Sequence, residues 1–172
     1  VTFTNKAAGE MRDRVEKLLG PIGDGLWMGT FHSTCVRILR RDIGHMGRSR
    51  GFVIYDAADQ ISVVRAAVKA LGIDPKQFPP RAILHAISRA KSEGEEPFAD
   101  GARSYFEEVV ARVGHEYSAA LESHLALDFD DLLLKALTLF RDVPEVRERY
   151  QERYRHVLVD EFQDTNRTQY AM

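Results

Sequence analysis

An α/β fold, a partial parallel sheet interrupted by an all-helical insertion, is what three features of this 172-residue sequence predict. Short apolar stretches near the two ends alternate with amphipathic helical patterns, the habit of a parallel sheet flanked by helices. The middle, from Phe52 to about Ala126, shows almost only helical periodicity. Close to the end, Val157 to Asn166 read Val-Leu-Val-Asp-Glu-Phe-Gln-Asp-Thr-Asn. A branched apolar triplet of this kind predicts a short strand buried on both faces, with polar groups delivered at its carboxyl end.

The elements follow in order. Val1-Thr2-Phe3-Thr4 reads as the end of a strand. Ala7, Ala8, Met11, Val15, Leu18 and Leu19 recur at helical spacing, and Gly20-Pro21 closes that helix. Leu26 to Thr30 reads as the next strand, with Ser33 as cap of a helix running to about Gly44 or Gly47. Its inward face is Val36, Leu39 and Ile43, and the glycines with Ser49 then break the pattern. A first segment, 1–50, ends at this break.

In the insertion, 51–127, Asp56 caps a helix bearing Ile61, Val64, Ala67, Val68 and Leu71, stopped by Gly72. Pro79-Pro80 start another, with Ile83, Leu84, Ile87 and Ala90 inward. Ser92 to Gly101 is acidic, contains Gly94 and Pro97, and reads as a loop. Tyr105, Phe106, Val109, Val113, Tyr117 and Leu121 mark a long amphipathic helix whose aromatic stripe fits a core better than a base-stacking platform. The third segment, 128–172, opens with Asp128 capping a helix that buries Phe129, Leu132, Leu133, Leu137 and Phe140. Pro144 begins a further helix, where its missing N–H costs nothing, and the Val157 strand follows.

Composition excludes several classes. Hydrophobic content of 44% and charged content of 29% are those of a folded globular protein. No apolar run approaches the roughly 20 residues that span a bilayer, and no signal-peptide pattern is present. A single cysteine, Cys35, rules out an internal disulfide, fits a reducing cytoplasm and reads as a small buried apolar residue. Net charge is −2, so any nucleic-acid contact must come from local patches. Two qualify: Arg37, Arg40, Arg41, Arg48 and Arg50 in the first segment, and Arg81, Arg89 and Lys91 in the insertion. Basic side chains on exposed helix faces are more often simply solvated, so neither patch alone identifies a nucleic-acid site. No His/Cys grouping has metal-ligand spacing, so no structural zinc is expected. Asp128, Asp130 and Asp131 lack the glycine and terminal glutamate of an EF-hand loop and read as a helix start.

The chemistry-bearing residues sit at the ends of the expected strands. Adjacent carboxylates such as Asp160 and Glu161 can divide the work of phosphoryl transfer, one holding hydrated Mg²⁺ and the other polarising water. Taken alone, such a pair also fits a solvated strand end or a helix cap. The string Val157 to Asn166 resembles motif II, the Walker B element, of the UvrD/PcrA/Rep family of superfamily 1 DNA helicases. Two further strings resemble the same family in the same order: Thr2-Phe3-Thr4-Asn5-Lys6-Ala7-Ala8 its motif Ia, and Gly29-Thr30-Phe31-His32-Ser33 its motif Ib. Leu127-Asp128-Phe129-Asp130-Asp131-Leu132-Leu133 is similar to another family segment, and Pro75 to Gly94 to its inserted helical subdomain.

The resemblance covers essentially the whole chain. It implies part of a RecA-like (P-loop NTPase) motor domain interrupted by the helical subdomain called 1B. It implies ATP and Mg²⁺ as cofactors, Asp160 as the Mg²⁺ residue acting through water, and Glu161 as the catalytic base. Gln163 and Asp164 would couple nucleotide state to neighbouring motifs; read alone, Asp164 or Thr165 also fits a cap for the next helix. Phe3, Thr4, Asn5 and Lys6 of motif Ia, with Thr30 and His32 of motif Ib, would contact single-stranded DNA. An aromatic at a strand end can stack on a base without regard to sequence, and hydroxyl and ring N–H groups beside a helix start can donate to phosphate. Alone, Phe3 and His32 each fit a core position, and Lys6 a solvated one. The implied activity is ATP-dependent 3′-to-5′ translocation on single-stranded DNA and at single-strand/duplex junctions, in repair or replication, in the bacterial cytoplasm beside the nucleoid.

The sequence contains no Gly-x-x-x-x-Gly-Lys-Ser/Thr and no Gly-Lys pair. The phosphate-cradling loop is therefore expected elsewhere in a longer helicase, and this segment alone is expected to be inactive. Two other readings share these motifs: part of an AddA/RecB-type helicase–nuclease, and a non-catalytic DNA-binding module that kept the motor fold.

Overall fold

Cap residues set most of the architecture. The computed structural model describes residues 1–20, 26–93 and 104–172. Helix α1, Asn5–Leu19, is capped by Thr4, whose hydroxyl accepts from the Ala7 amide at 3.1 Å. Helix α2, Phe31–Asp42, is capped by Thr30 in the same way through Ser33 N. Both starts lie earlier than the apolar periodicity indicated, and Ser33 is not the cap; its own hydroxyl donates to Thr30 O at 2.9 Å. A 3₁₀ turn, Ile43–Met46, follows α2 and ends at Gly47 in the left-handed region. Helix α3, Ala57–Ala70, opens with a capping box of Asp56 and Asp59. It closes at Gly72, φ 65°, where the amides of Gly72 and Ile73 return to Lys69 O and Val68 O. Helices α4, Pro80–Ser92, and α7, Pro144–Arg153, begin on the expected prolines. Ser104 caps α5, Tyr105–Ser123, and an Asp128–Asp131 capping box opens α6, Phe129–Asp142. A short α8, Arg167–Tyr170, is capped by Asn166 and not by Asp164 or Thr165. Pro21, and the expected loop from Gly94 to Gly101, lie outside the described residues.

Strands are few and short. Val53–Ile54 (β1) pairs in parallel with Ala126–Leu127 (β2), so the chain enters and leaves its helical middle side by side. Neither strand was legible in the sequence, because two residues carry no period. The strand ends expected from the motifs do meet. Thr2 and Thr30 form a parallel bridge, with Thr2 N donating to Gly29 O at 3.0 Å and Phe31 N to Thr2 O at 3.2 Å. On the other side, Val1 N donates to Leu158 O at 2.6 Å and Asp160 N to Val1 O at 2.9 Å. Successive residues of one segment thus bond to neighbours on opposite sides, as in a parallel ladder. The fold is mixed α/β, mostly helical, with parallel pairing as expected.

The expected double-sided burial of Val157–Val159 is corrected. Val157 is 64% and Leu158 83% exposed, and only Val159 packs on a core. No described element lies over the other two. For the same reason the outer end of α1 is bare, with Leu18 and Leu19 exposed and only Ala8 buried.

Two hydrophobic cores result. One gathers α2, α6 and Val146 of α7 around Leu39, Ile43, Leu132 and Leu139. The other packs α3, α4 and α5 around Val64, Ile83, Ile87, Val113 and Tyr117. The stripe of α5 is core from Val109 to Leu121, while Tyr105 and Phe106 lie exposed against Phe78. Cys35 is fully buried, and burial pushes its thiol up to about 12, far from a nucleophile's range.

Candidate functional site

The strand ends and helix starts described above enclose an open hollow of about 300 Å³. It is lined by Phe3 and Asn5 from the first segment, Thr30, His32, Ser33 and Val36 around the start of α2, Ile54 of β1, and Phe129 and Leu132 of α6. Phe3 leans on Phe31 with ring centroids 5.5 Å apart, leaving it half-buried and part of the wall. Phe129 meets His32 edge to face at 5.6 Å. Burial lowers the His32 pKa, only partly opposed by Asp130, so the ring is neutral near pH 7 and offers one N–H. Thr30, although buried, uses its oxygen as the α2 cap acceptor and keeps its proton for donation.

Four of the six expected DNA-contact residues, Phe3, Asn5, Thr30 and His32, therefore share one hollow. Thr4 and Lys6 do not line it; Thr4 is occupied as the α1 cap, and exposed Lys6 lies 4.0 Å from Glu10. Phe129 was missed. Helical spacing placed it on the buried side, but at the first position of α6 it has no preceding turn to cover it and stays 47% exposed. Its place between acidic residues in Asp-Phe-Asp-Asp was the available signal.

Gly29, next to Thr30 in the chain, has little room for a side chain. A Cβ there would come within 2.7 Å of Ser33 Oγ, which is bonded to Thr30 O. Gly29→Ala is expected to displace that hydroxyl and cost about 1 kcal/mol, the worth of one net hydrogen bond. Urea unfolding checks this, and Gly29→Ala/Ser33→Ala should show no penalty beyond that of Ser33→Ala. A full second penalty in the double variant would place the clash elsewhere.

Across the Val1 backbone lies the carboxylate end. Asp160, Glu161, Gln163 and Asp164 are all exposed. Glu161 adopts φ 50°, ψ 46°, a left-handed conformation that a non-glycine residue rarely holds. The Gln163 side-chain amide donates to its carboxylate, and Asp164 N donates to Glu161 O at 2.9 Å. The donor set suits Mg²⁺, which takes one or two carboxylates and completes its shell with water and nucleotide phosphate. Among the described residues no three His, Cys, Asp or Glu side chains converge as a ready-made metal cage.

A family profile, the UvrD/REP helicase N-terminal domain, matches residues 1–172. The chain belongs to the UvrD/REP helicase family. The chain is 51% identical over its whole length to the ATP-dependent DNA helicase PcrA of Bacillus subtilis. Identity to the proteins of the same name from Staphylococcus aureus and Staphylococcus epidermidis is 48% and 46%, again over the whole chain. It spans 24% of the length of these relatives.

Within this UvrD/REP-family segment the expected basic patches are reduced. Lys91 is 5% exposed and bonded to Asp128 at 2.7 Å and Asp131 at 2.9 Å, so it cannot reach nucleic acid. It therefore leaves the basic patch expected with Arg81 and Arg89, drawn inward by the acidic start of α6. Arg48 pairs with Glu122 at 3.0 Å, Arg40 covers the Phe52 ring and bonds Arg50 O, and Arg37 covers Trp27. Among the described residues no helix is long and apolar enough to cross a membrane.

Proposed function

We propose that this chain is the DNA-facing and Mg-nucleotide-facing part of the first motor domain of an ATP-dependent 3′-to-5′ DNA helicase. Segments 1–50 and 128–172 form the motor portion and 51–127 the helical subdomain, a division supported by the two separate cores and by β1–β2 pairing at the junction. The observation that carries the reading is the juxtaposition of the hollow with the carboxylate end on either side of Val1–Thr2.

In this reading single-stranded DNA lies along the hollow. Phe3 and Phe129 stack on bases, while Asn5, Thr30 and neutral His32 donate to the backbone. Thr4 and Lys6 flank the path. Bound Mg-ATP supplies the electrophilic phosphate, with Asp160 as the residue that holds the metal through water. Glu161 takes the proton of the attacking water, Gln163 fixes the Glu161 carboxylate, and Gln163 with Asp164 reports nucleotide state to the neighbouring strand. The helical subdomain meets the duplex at the junction through shape and phosphate contacts. The setting is the bacterial cytoplasm beside the nucleoid, where repair and replication take place.

Anisotropy titration of labelled oligothymidylate with the full-length protein tests the reading. Phe3→Ala is expected to lose about 1–3 kcal/mol of binding, the worth of one stacked base. Unchanged affinity in both Phe3→Ala and Phe129→Ala would remove the hollow from the DNA path.

A further inference from the structure

The first turn of α6 carries Phe129 into the hollow, and one face of α4 holds that turn. Ser88, Lys91 and Ser92, at helical spacing along α4, all reach it. Each carboxylate of the capping box divides its two oxygens. Asp128 accepts the Asp131 amide on Oδ1 at 2.7 Å, and on Oδ2 it accepts Lys91 Nζ at 2.7 Å and the Tyr117 hydroxyl at 2.9 Å. Asp131 accepts the Asp128 amide on Oδ2 at 3.3 Å and Lys91 Nζ on Oδ1 at 2.9 Å. Between them Asp130 accepts from Ser88 Oγ at 2.6 Å.

A capping box needs no lysine. The Asp56–Asp59 box of α3 closes with both residues exposed and water available to their outer oxygens. The α6 box differs in being buried, where two adjacent carboxylates repel strongly unless a cation lies between them. Lys91 is that cation, and it comes from the helical insertion while the box belongs to the element lining the hollow.

We propose that Lys91 is a positioning residue for the nucleic-acid hollow: it locks the first turn of α6, and so sets the Phe129 ring against His32 in the orientation that receives a base. This rests on the reading of the hollow given above. The same face of α4 also meets the region just past the carboxylate end, since Thr168 Oγ1 of α8 donates to Ser92 O at 2.9 Å.

A double-mutant cycle in the full-length protein tests it, with oligothymidylate affinity and DNA-stimulated ATP turnover as readouts. Lys91→Met is expected to weaken binding about fivefold or more, the scale of coupling between residues in one network. The DNA concentration for half-maximal turnover should rise in parallel, while the maximal rate changes far less. In the Phe129→Ala background, Lys91→Met should add nothing. Losses that simply multiply, or a fall in maximal rate with no change in DNA affinity, would overturn the positioning role. No effect of Phe129→Ala by itself would mean that the ring receives no base and would also overturn the positioning role; the reading of the hollow falls with it only if Phe3→Ala is silent too. If Lys91→Met does not fold, Tyr117→Phe and Ser88→Ala replace it, each deleting one hydroxyl from the network. Their losses must likewise disappear in the Phe129→Ala background, and persistence there overturns the proposal.

Discussion

In the full-length protein, Glu161→Gln is expected to lower DNA-stimulated ATP hydrolysis by about 10²–10⁴-fold, the contribution of a positioned general base. Nucleotide affinity should be retained, because the amide keeps the shape of the side chain and Asp160 is untouched. Glu161 is held in the left-handed region at φ 50°, a conformation that costs a non-glycine residue about 1–2 kcal/mol. The Gln163 amide holds its carboxylate in this exposed position. A backbone held against its preference, with the side chain fixed by a neighbour, supports the role proposed for Glu161. The 172-residue chain by itself, which has no Gly-Lys pair, should show no DNA-dependent turnover. Steady-state ATPase assays of wild type, Glu161→Gln and the isolated chain decide. Turnover in Glu161→Gln equal to wild type would strip Glu161 of the role of base.

Local rules served well wherever a residue answers to its immediate neighbours. Asp56, Pro80, Asp128 and Pro144 start helices as their chemistry requires, and Gly72 ends one. The α/β class was legible from alternating strand and helix patterns, and four residues that line the hollow, Phe3, Asn5, Thr30 and His32, from two motifs. Failures came where the answer depends on distant partners. Val157 and Leu158 have the composition of a buried strand, yet nothing in the described residues covers them. Phe129 has the spacing of a core residue, but the first position of a helix is covered on one side only. Lys91 read as a surface cation because its counter-charges lie 37 and 40 residues away. Two-residue strands such as β1 and β2 are fixed by tertiary pairing and leave no period to find.

Lys91→Met is expected to destabilise this chain by about 3–5 kcal/mol, the cost of leaving a buried charge without its partner. Removing the ammonium strands Asp128 and Asp131 against each other beneath Tyr117, with Met filling the volume but satisfying neither. The pH dependence separates charge from packing. Burial lowers the Lys91 pKa, but Asp131 and Asp128 outweigh it and hold the ammonium above its ordinary value of 10.5. A group whose folded pKa is raised stabilises fully below its unfolded pKa and loses that contribution as pH climbs through the folded one. The stability gap between wild type and Lys91→Met should therefore stand at full size near pH 9 and close as pH rises past about 10.5. Urea unfolding followed by the helix signal gives both values. A gap that stays open at high pH would mean the loss is one of packing. Asp131→Asn placed on Lys91→Met should recover part of the loss, since neutral groups of similar size are tolerated in place of a buried ion pair.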